Sequence, residues 1–263
     1  MGTAILAGLL RSGIDASQIS VTTKTAANAA RLADEHGVTA SATETSANAN
    51  AKSVEGAIIV LVAVKPAYVI AVLAEIAASI DPNALVISVA GGITTAAMQA
   101  ALPQTVAVIR SMPNTPAIVG KAVTGLAVGS RASGDQLLQA SELFETIGSV
   151  LVVDESQIDQ LSTISGSGPA YVFFFIEQLT AAAIDMGFTA EQASMLVEQT
   201  FAGASELLLA SGKSPAELRK QVTSPNGTTM QAISVFEAAD LHTLFAKATA
   251  AALARAKEIA AAN

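Results

Sequence analysis

The sequence predicts an α/β fold, a doubly wound sheet domain over residues 1–153, followed by an all-α domain over residues 154–263. Three observations predict it. Apolar runs alternate with helical patterns up to residue 153, and strand signals stop after residue 154. The run Ala57–Val64 shows no polar alternation, which marks a central parallel strand buried on both faces. A length of 263 residues suits two domains of moderate size.

Taken in order, apolar runs at Ile19–Thr22, Ala57–Val64, Ala84–Val89, Thr105–Arg110, Val123–Val128 and Ser149–Val153 read as strands. Between most of them lie helical patterns at Ala26–His36, Ala67–Ser79, Thr94–Ala101 and Ser133–Ile147, so the strands are joined by crossovers. In the second half, helices are expected at Glu155–Ile164, Ala170–Met186, Ala190–Ala210, Pro215–Val222 and Thr228–Ala262, the last broken near Asp240. Ser214 before Pro215 is a cap followed by a first-turn proline. The stretch Pro169–Phe188 carries Tyr171, Phe173, Phe174, Phe175 and Ile176, apolar nearly all round the helix. Such a helix belongs in a deep core or between subunits, and the helical half is expected to form an intertwined homodimer.

Composition narrows the chemistry. There is no cysteine, which removes disulfides, thiol nucleophiles and thiolate metal sites. Only two histidines occur, His36 before a helix-ending Gly37 and His242 in the amphipathic tail, so no histidine-rich metal centre is expected. A net charge of −8 argues against nucleic acid. Hydrophobic residues make up 51% of the chain, but the longest apolar runs fall far short of the ~20 residues a membrane span needs. With no secretory pattern at the start, a cytoplasmic location is expected.

The loops at the strand ends carry the functional signal. Met1-Gly2-Thr3 leads into a helix like the tail of a glycine-rich dinucleotide loop. The turn Thr22-Thr23-Lys24-Thr25 ends the next strand, where an adenosine ribose binds in doubly wound folds. Hydroxyls and a lysine there suit a 2′-phosphate, although a polar turn capping the following helix explains them equally well. Ala63-Val64-Lys65-Pro66 ends the apolar strand, Val89-Ala90-Gly91-Gly92 the following one, and Met112-Pro113-Asn114-Thr115-Pro116 the one after. Ligands of open α/β sheets bind at such strand ends. In the helical half, Ser165–Pro169 and Thr223–Thr229 are small-residue loops opening helices, which can either cap those helices or hold a carboxylate.

In this order, Ala63–Pro66, Met112–Pro116, Ser165–Tyr171 and Ser224–Thr229 resemble the pyrroline-5-carboxylate reductase family over nearly the whole chain. The resemblance implies a Rossmann-type dinucleotide-binding domain and an all-α dimerisation domain, with dimers assembling into decamers. It implies reduction of 1-pyrroline-5-carboxylate to L-proline with NADPH or NADH. Position by position, it assigns cofactor contacts to Met1, Gly2, Thr23, Lys24, Asn50, Ala63, Val64, Lys65, Pro66, Val89, Ala90, Gly91, Met112 and Asn114. It assigns substrate contacts to Glu155, Ser224, Gly227, Thr228 and Thr229, with Thr229 as the proton donor. A site poor in His, Cys and paired acids suits a reductase, because the cofactor carries the difficult step.

The sequence departs from the family twice. Relatives carry an opening strand and a full glycine loop before the Met-Gly, so Met1 is expected to be an internal methionine with a further strand upstream. Without that strand, neighbouring edges are expected to be unpaired beside an apolar slot. At Asn226 relatives have glycine, and the turn is expected to survive if the position is left-handed. Two rival readings stand beside the reductase. One is a 3-hydroxyacid-type dehydrogenase, which lacks here its helix-borne lysine and asparagine; the other is a shortened paralogue that only dimerises.

Overall fold

The computed structural model describes residues 1–261, so the expected helix to Ala262 runs past the described residues. It comprises two compact units, one of Met1–Ser167 with the closing stretch from Ala252, the other of Gly168–Ala251.

In the first unit the order is α1 (Gly2–Arg11), β1 (Ser20–Thr23), α2 (Ala26–His36), β2 (Thr39–Ala42), α3 (Ala49–Ser53), β3 (Ile59–Val62), α4 (Val69–Ile76), β4 (Leu85–Ser88), α5 (Thr95–Ala100), β5 (Ala107–Met112), β6 (Ala122–Val128), α6 (Gly134–Glu145), β7 (Gly148–Val152) and α7 (Ile158–Leu161). Strands β3, β4 and β5 are parallel; β6 runs antiparallel to β5, and β7 parallel to β6. This five-stranded sheet is separate from a parallel pair formed by β1 and β2.

Local chemistry sets the helix limits. Thr25 caps α2 by accepting the Asn28 N–H, and Gly37 ends it at φ 69°, a left-handed geometry that glycine adopts without strain. Ser133 and Gln136 close a reciprocal capping box on α6.

Side-chain alternation along the strands divides the core into two layers. Val60, Val62, Val86 and Val108 face Leu73, Ile76 and Met98 of α4 and α5. Leu85, Ile87, Ala107, Ile109 and Leu126 face Ile5 of α1 and Phe144 of α6. Fully burying each such large side chain contributes about 1.5–3 kcal/mol. On the second layer α1 lies very close to the α6–β7 corner. A Cβ placed on Gly8 would stand within 2.3 Å of Ile147 Cγ2 and 3.2 Å of the Thr146 carbonyl oxygen.

The strand expected at the centre of the sheet, Ala57–Val64, is instead the edge of the five-stranded sheet. Val60 and Val62 are buried, but Ile59 and Leu61 are half-buried and Ile58 is exposed. Its free flank borders a cleft of about 1200 Å³ that is also lined by Ser20–Thr23 of β1 and by Ile5, Leu6 and Leu9 of α1. The cleft explains the uninterrupted apolar run: β3 is hydrophobic on both faces, and one flank lacks a neighbouring strand.

The boundary between units also differs from the change in sequence texture at 153/154. The segment after β7 is helical, but it packs on the first unit. Ile158 is fully buried, and Leu161 lies where a side chain on Gly125 would have to go. A π-helical turn, Ser162–Gly166, then closes this segment.

The second unit contains α8 (Gly168–Asp185), α9 (Ala190–Ser211), α10 (Pro215–Gln221), α11 (Thr228–Ala238) and the part of α12 (Leu241–Ala261) before Ala252. The expected break falls at Asp240, which is left-handed at φ 47° and accepts the Thr243 N–H. Helix α8 has no buried residue, and Val172, Phe173, Phe174 and Leu179 are exposed on it. Among the described residues no helix is long and apolar enough to cross a membrane.

Candidate active site

The N-terminus of α1 reaches the carboxyl end of β3. A Cβ on Gly2 would lie 3.2 Å from Ala63 Cβ, so the close approach requires the missing side chain. Met1 accepts the Ala4 and Ile5 N–H groups, and the earlier N–H groups of the helix lie at its open, partially positive end. Gly2, Thr3, Thr22, Thr23, Asn50, Ala63 and Val64 all line the same cleft. Lys24 and Lys65 are exposed on the two neighbouring turns, and Lys65 precedes the turn of 3₁₀ helix that Pro66 opens. Asn50 is fixed by donating its Nδ2–H to Glu75.

The tips of β4 and β5 form a second cluster. The Ser111 hydroxyl donates to the Ser88 carbonyl at 2.9 Å, and the Ala90 N–H donates to the Ser88 hydroxyl at 3.2 Å. These bonds hold Val89–Gly91 against β5. Met112 Cε lies 3.9 Å and 3.6 Å from where Cβ atoms would stand on Gly91 and Gly166. The Met112 thioether therefore sits between two glycine loops. Asn114 is buried and bonded at both ends of its amide: Nδ2 donates to the Ser165 carbonyl, while Oδ1 accepts the Val123 N–H, both at 2.9 Å. These bonds fix the loop after β5.

Glu155, expected near the substrate, is committed inside the first unit. Oε1 accepts the Thr95 N–H at 2.6 Å and Oε2 the Thr95 hydroxyl at 2.7 Å, capping α5. An open helix N-terminus beside a carboxylate gives such a charge-assisted hydrogen bond.

In the second unit Ser224, Gly227, Thr228 and Thr229 come together in one turn. The Gly227 N–H donates to the Ser224 carbonyl at 3.0 Å, and Gly227 is the N-cap of α11. Asn226 has φ 60°, the left-handed geometry that asparagine tolerates best among non-glycine residues. No side chain caps α11, and both Thr228 and Thr229 are exposed. The turn therefore presents N–H groups and two hydroxyls to a ligand.

Sequence reasoning missed Glu44 and the partners of Arg110. Glu44 accepts the Ala26 N–H at the start of α2, placing a carboxylate beside the Thr22–Thr25 turn. Arg110 is buried, with Nη2 2.6 Å from Asp159 Oδ1 and Nη1 3.8 Å from Glu155 Oε1. An arginine inside an apolar strand run was the available signal for the second.

The residues at the strand tips fit a dinucleotide: an open helix N-terminus, a glycine that admits a backbone-close ligand, and a glycine-lined platform beside it. Comparison with known proteins agrees. A family model described as pyrroline-5-carboxylate reductase dimerisation matches residues 155–259. Another, described as NADP oxidoreductase, coenzyme F420-dependent, matches residues 1–92. The pyrroline-5-carboxylate reductase of Pseudomonas aeruginosa is 38% identical over 99% of this chain and 93% of its own length. That of Escherichia coli is 36% identical over 90% of this chain and 86% of its own. Among solved structures, a pyrroline-5-carboxylate reductase from Coxiella burnetii superposes with a TM-score of 0.91 at 37% identity, covering 98% of this chain and 94% of its own. A Plasmodium falciparum pyrroline carboxylate reductase with NADP bound shares the fold, with a TM-score of 0.83 at 24% identity over 99% of this chain and 94% of its own.

Proposed function

The chain belongs to the pyrroline-5-carboxylate reductase family, and we propose that it reduces 1-pyrroline-5-carboxylate to L-proline with NADPH or NADH, the last step of proline synthesis. The observation that carries this reading is the open α1 N-terminus at Gly2, packed against Ala63 at the end of β3, in a chain that matches reductases along nearly its whole length.

When bound, the dinucleotide supplies hydride to the imine carbon. The chain's own residues hold and orient the partners. The α1 N-terminus at Met1–Gly2 takes the diphosphate, and Thr23 and Lys24 meet the adenosine ribose, with Asn50 nearby. The backbone of Ala63–Pro66 and Val89–Gly91 lines the path to the nicotinamide, and Met112 forms its floor. The N–H groups and hydroxyls of Ser224, Gly227, Thr228 and Thr229 hold the substrate carboxylate despite the acidic balance of the protein. Where the imine binds neutral, the Thr229 hydroxyl passes a proton to the ring nitrogen through a short relay that returns one to the hydroxyl. Where the imine binds already protonated, hydride addition alone completes the amine and no donor is required.

The assembly we propose is a homodimer through the helical unit, built up further to a decamer, in the cytoplasm. The exposed apolar surface of α8 supports the first step.

The deciding assay follows dinucleotide oxidation with pyrroline-5-carboxylate, with 3-hydroxyacids run in the reverse direction as the competing substrates. Turnover confined to the imine supports the reading. Turnover of a hydroxyacid alone, or no dinucleotide binding in a fluorescence titration, overturns it.

A further inference from the structure

We propose that Arg110 is a positioning residue: one buried guanidinium that fixes the two loops flanking Met112 through two separate carboxylates. The inference deepens the reading above, in which those loops form the nicotinamide platform.

The geometry has two arms. On β5, Val108, Arg110 and Met112 share a face by strand alternation, so Arg110 lies one pleat below the platform. In the first arm, Nη1 stands 3.8 Å from Glu155 Oε1, and that carboxylate holds the Thr95 N–H and hydroxyl. Thr95 opens α5, directly after the Gly91–Gly92 loop. In the second arm, Nη2 lies 2.6 Å from Asp159 Oδ1. Asp159 sits on α7, which continues into the π-helical turn Ser162–Gly166. Gly166 touches Met112, and the Ser165 carbonyl holds the Asn114 amide. One cation therefore ties both walls of the Met112 platform to a single strand.

Stability alone is a poor account of this arrangement. Burying ions costs about as much as their attraction returns, and an apolar side chain of similar size serves a core as well. Here Arg110 Nε is also buried without a hydrogen-bond partner, a further cost. What the guanidinium adds is its breadth: one terminal nitrogen hydrogen-bonds Asp159 while the other stands at ion-pair distance from Glu155, a span a lysine ammonium does not cover.

Hydrogen–deuterium exchange on the free protein tests the two arms separately. Arg110→Lys is expected to speed exchange about tenfold or more in both segments, 89–97 and 162–167. Thr95→Val is expected to loosen only the first segment and Asp159→Asn only the second, and these two milder variants decide the matter if Arg110→Lys does not fold. In turnover, Arg110→Lys is expected to raise the KM for NADPH about tenfold, on the scale of one lost charge-assisted hydrogen bond. Even loosening of the whole first unit with an unchanged KM for NADPH would make Arg110 a purely structural residue and overturn the proposal, as would no loosening of either segment. A wild-type chain without reductase activity would remove the reading of the platform, while the exchange pattern would still decide whether Arg110 joins the two loops.

Discussion

Thr229 is the residue on which the proposed proton transfer depends. Its hydroxyl is exposed at the N-terminus of α11 and caps nothing, so removing it leaves the helix intact. Thr229→Ala is expected to lower kcat on the order of a hundredfold, with Thr229→Ser restoring most of it. Steady-state kinetics decides; wild-type turnover in the alanine variant would leave Thr229 as a helix-opening residue only. Thr124 offers a stability test. Its hydroxyl is buried in β6 without a partner, beside Leu126 and Phe144 in one core layer. Thr124→Val keeps the shape and removes the stranded donor, so it is expected to stabilise by about 1 kcal/mol in denaturant melts. At this scale the sequence was legible where backbone chemistry is local. Asn226 is expected to keep its turn on the condition of a left-handed backbone, and φ 60° meets that condition. The bond of Glu155 to Thr95 could not be read, because the two are 60 residues apart and nothing in the linear pattern joins them.

Among the elements, those with strong periodicity or caps were legible, and the short polar ones were not. Helix α2 has its expected limits because Thr25 and Gly37 mark both ends. Strand β2 went unread: Thr39–Ala42 contains only Thr, Ala and Ser and gains its strand form from pairing with β1. The five-residue α3 is too short to show a period. The caps of the helical unit carry a pH consequence. Glu217, at the start of α10, is held below the ordinary carboxylate range by the Ser214 side chain and backbone. Asp240 is lowered in the same way by the Thr243 hydroxyl and N–H at the start of α12. Glu191 on α9 is lowered by its own backbone N–H and then by Thr189. A depressed carboxylate contributes stability above its unfolded-state range and loses it as the pH falls through the depressed one. Helicity followed by circular dichroism is therefore expected to melt at lower temperature as the pH drops from about 5 towards 3. Glu217→Gln should flatten part of that slope; an unchanged slope would show that this cap does not titrate.

For the whole molecule, the division into a sheet unit and a helical unit was legible because strand signals stop abruptly after residue 154. The split between the β1–β2 pair and the five-stranded sheet was not, since periodicity says which residues are strands but not which flank is free. The surface of α8 belongs to this scale. Phe173 and Phe174 are 66% and 57% exposed in the single chain, on a helix with no buried residue. An apolar face of this kind, in a chain matching a dimerisation family, is expected to be covered by a second copy. Phe173→Asp is expected to shift sedimentation from dimer to monomer at micromolar concentration; a variant that still sediments as a dimer would place the interface on other helices.

The close fit at Gly8 has a consequence some distance away. Gly8 lies about 9 Å along the axis of α1 from Gly2. Helix α1 is a stiff rod wedged at that point against Ile147 and the Thr146 carbonyl, with no room for even a methyl group. Anything that enlarges the wedge is expected to tilt or slide the rod and draw its far end away from the proposed diphosphate site. On the proposed reading, weaker coenzyme retention would be the first sign of damage at that buried corner, although the contact never meets the coenzyme.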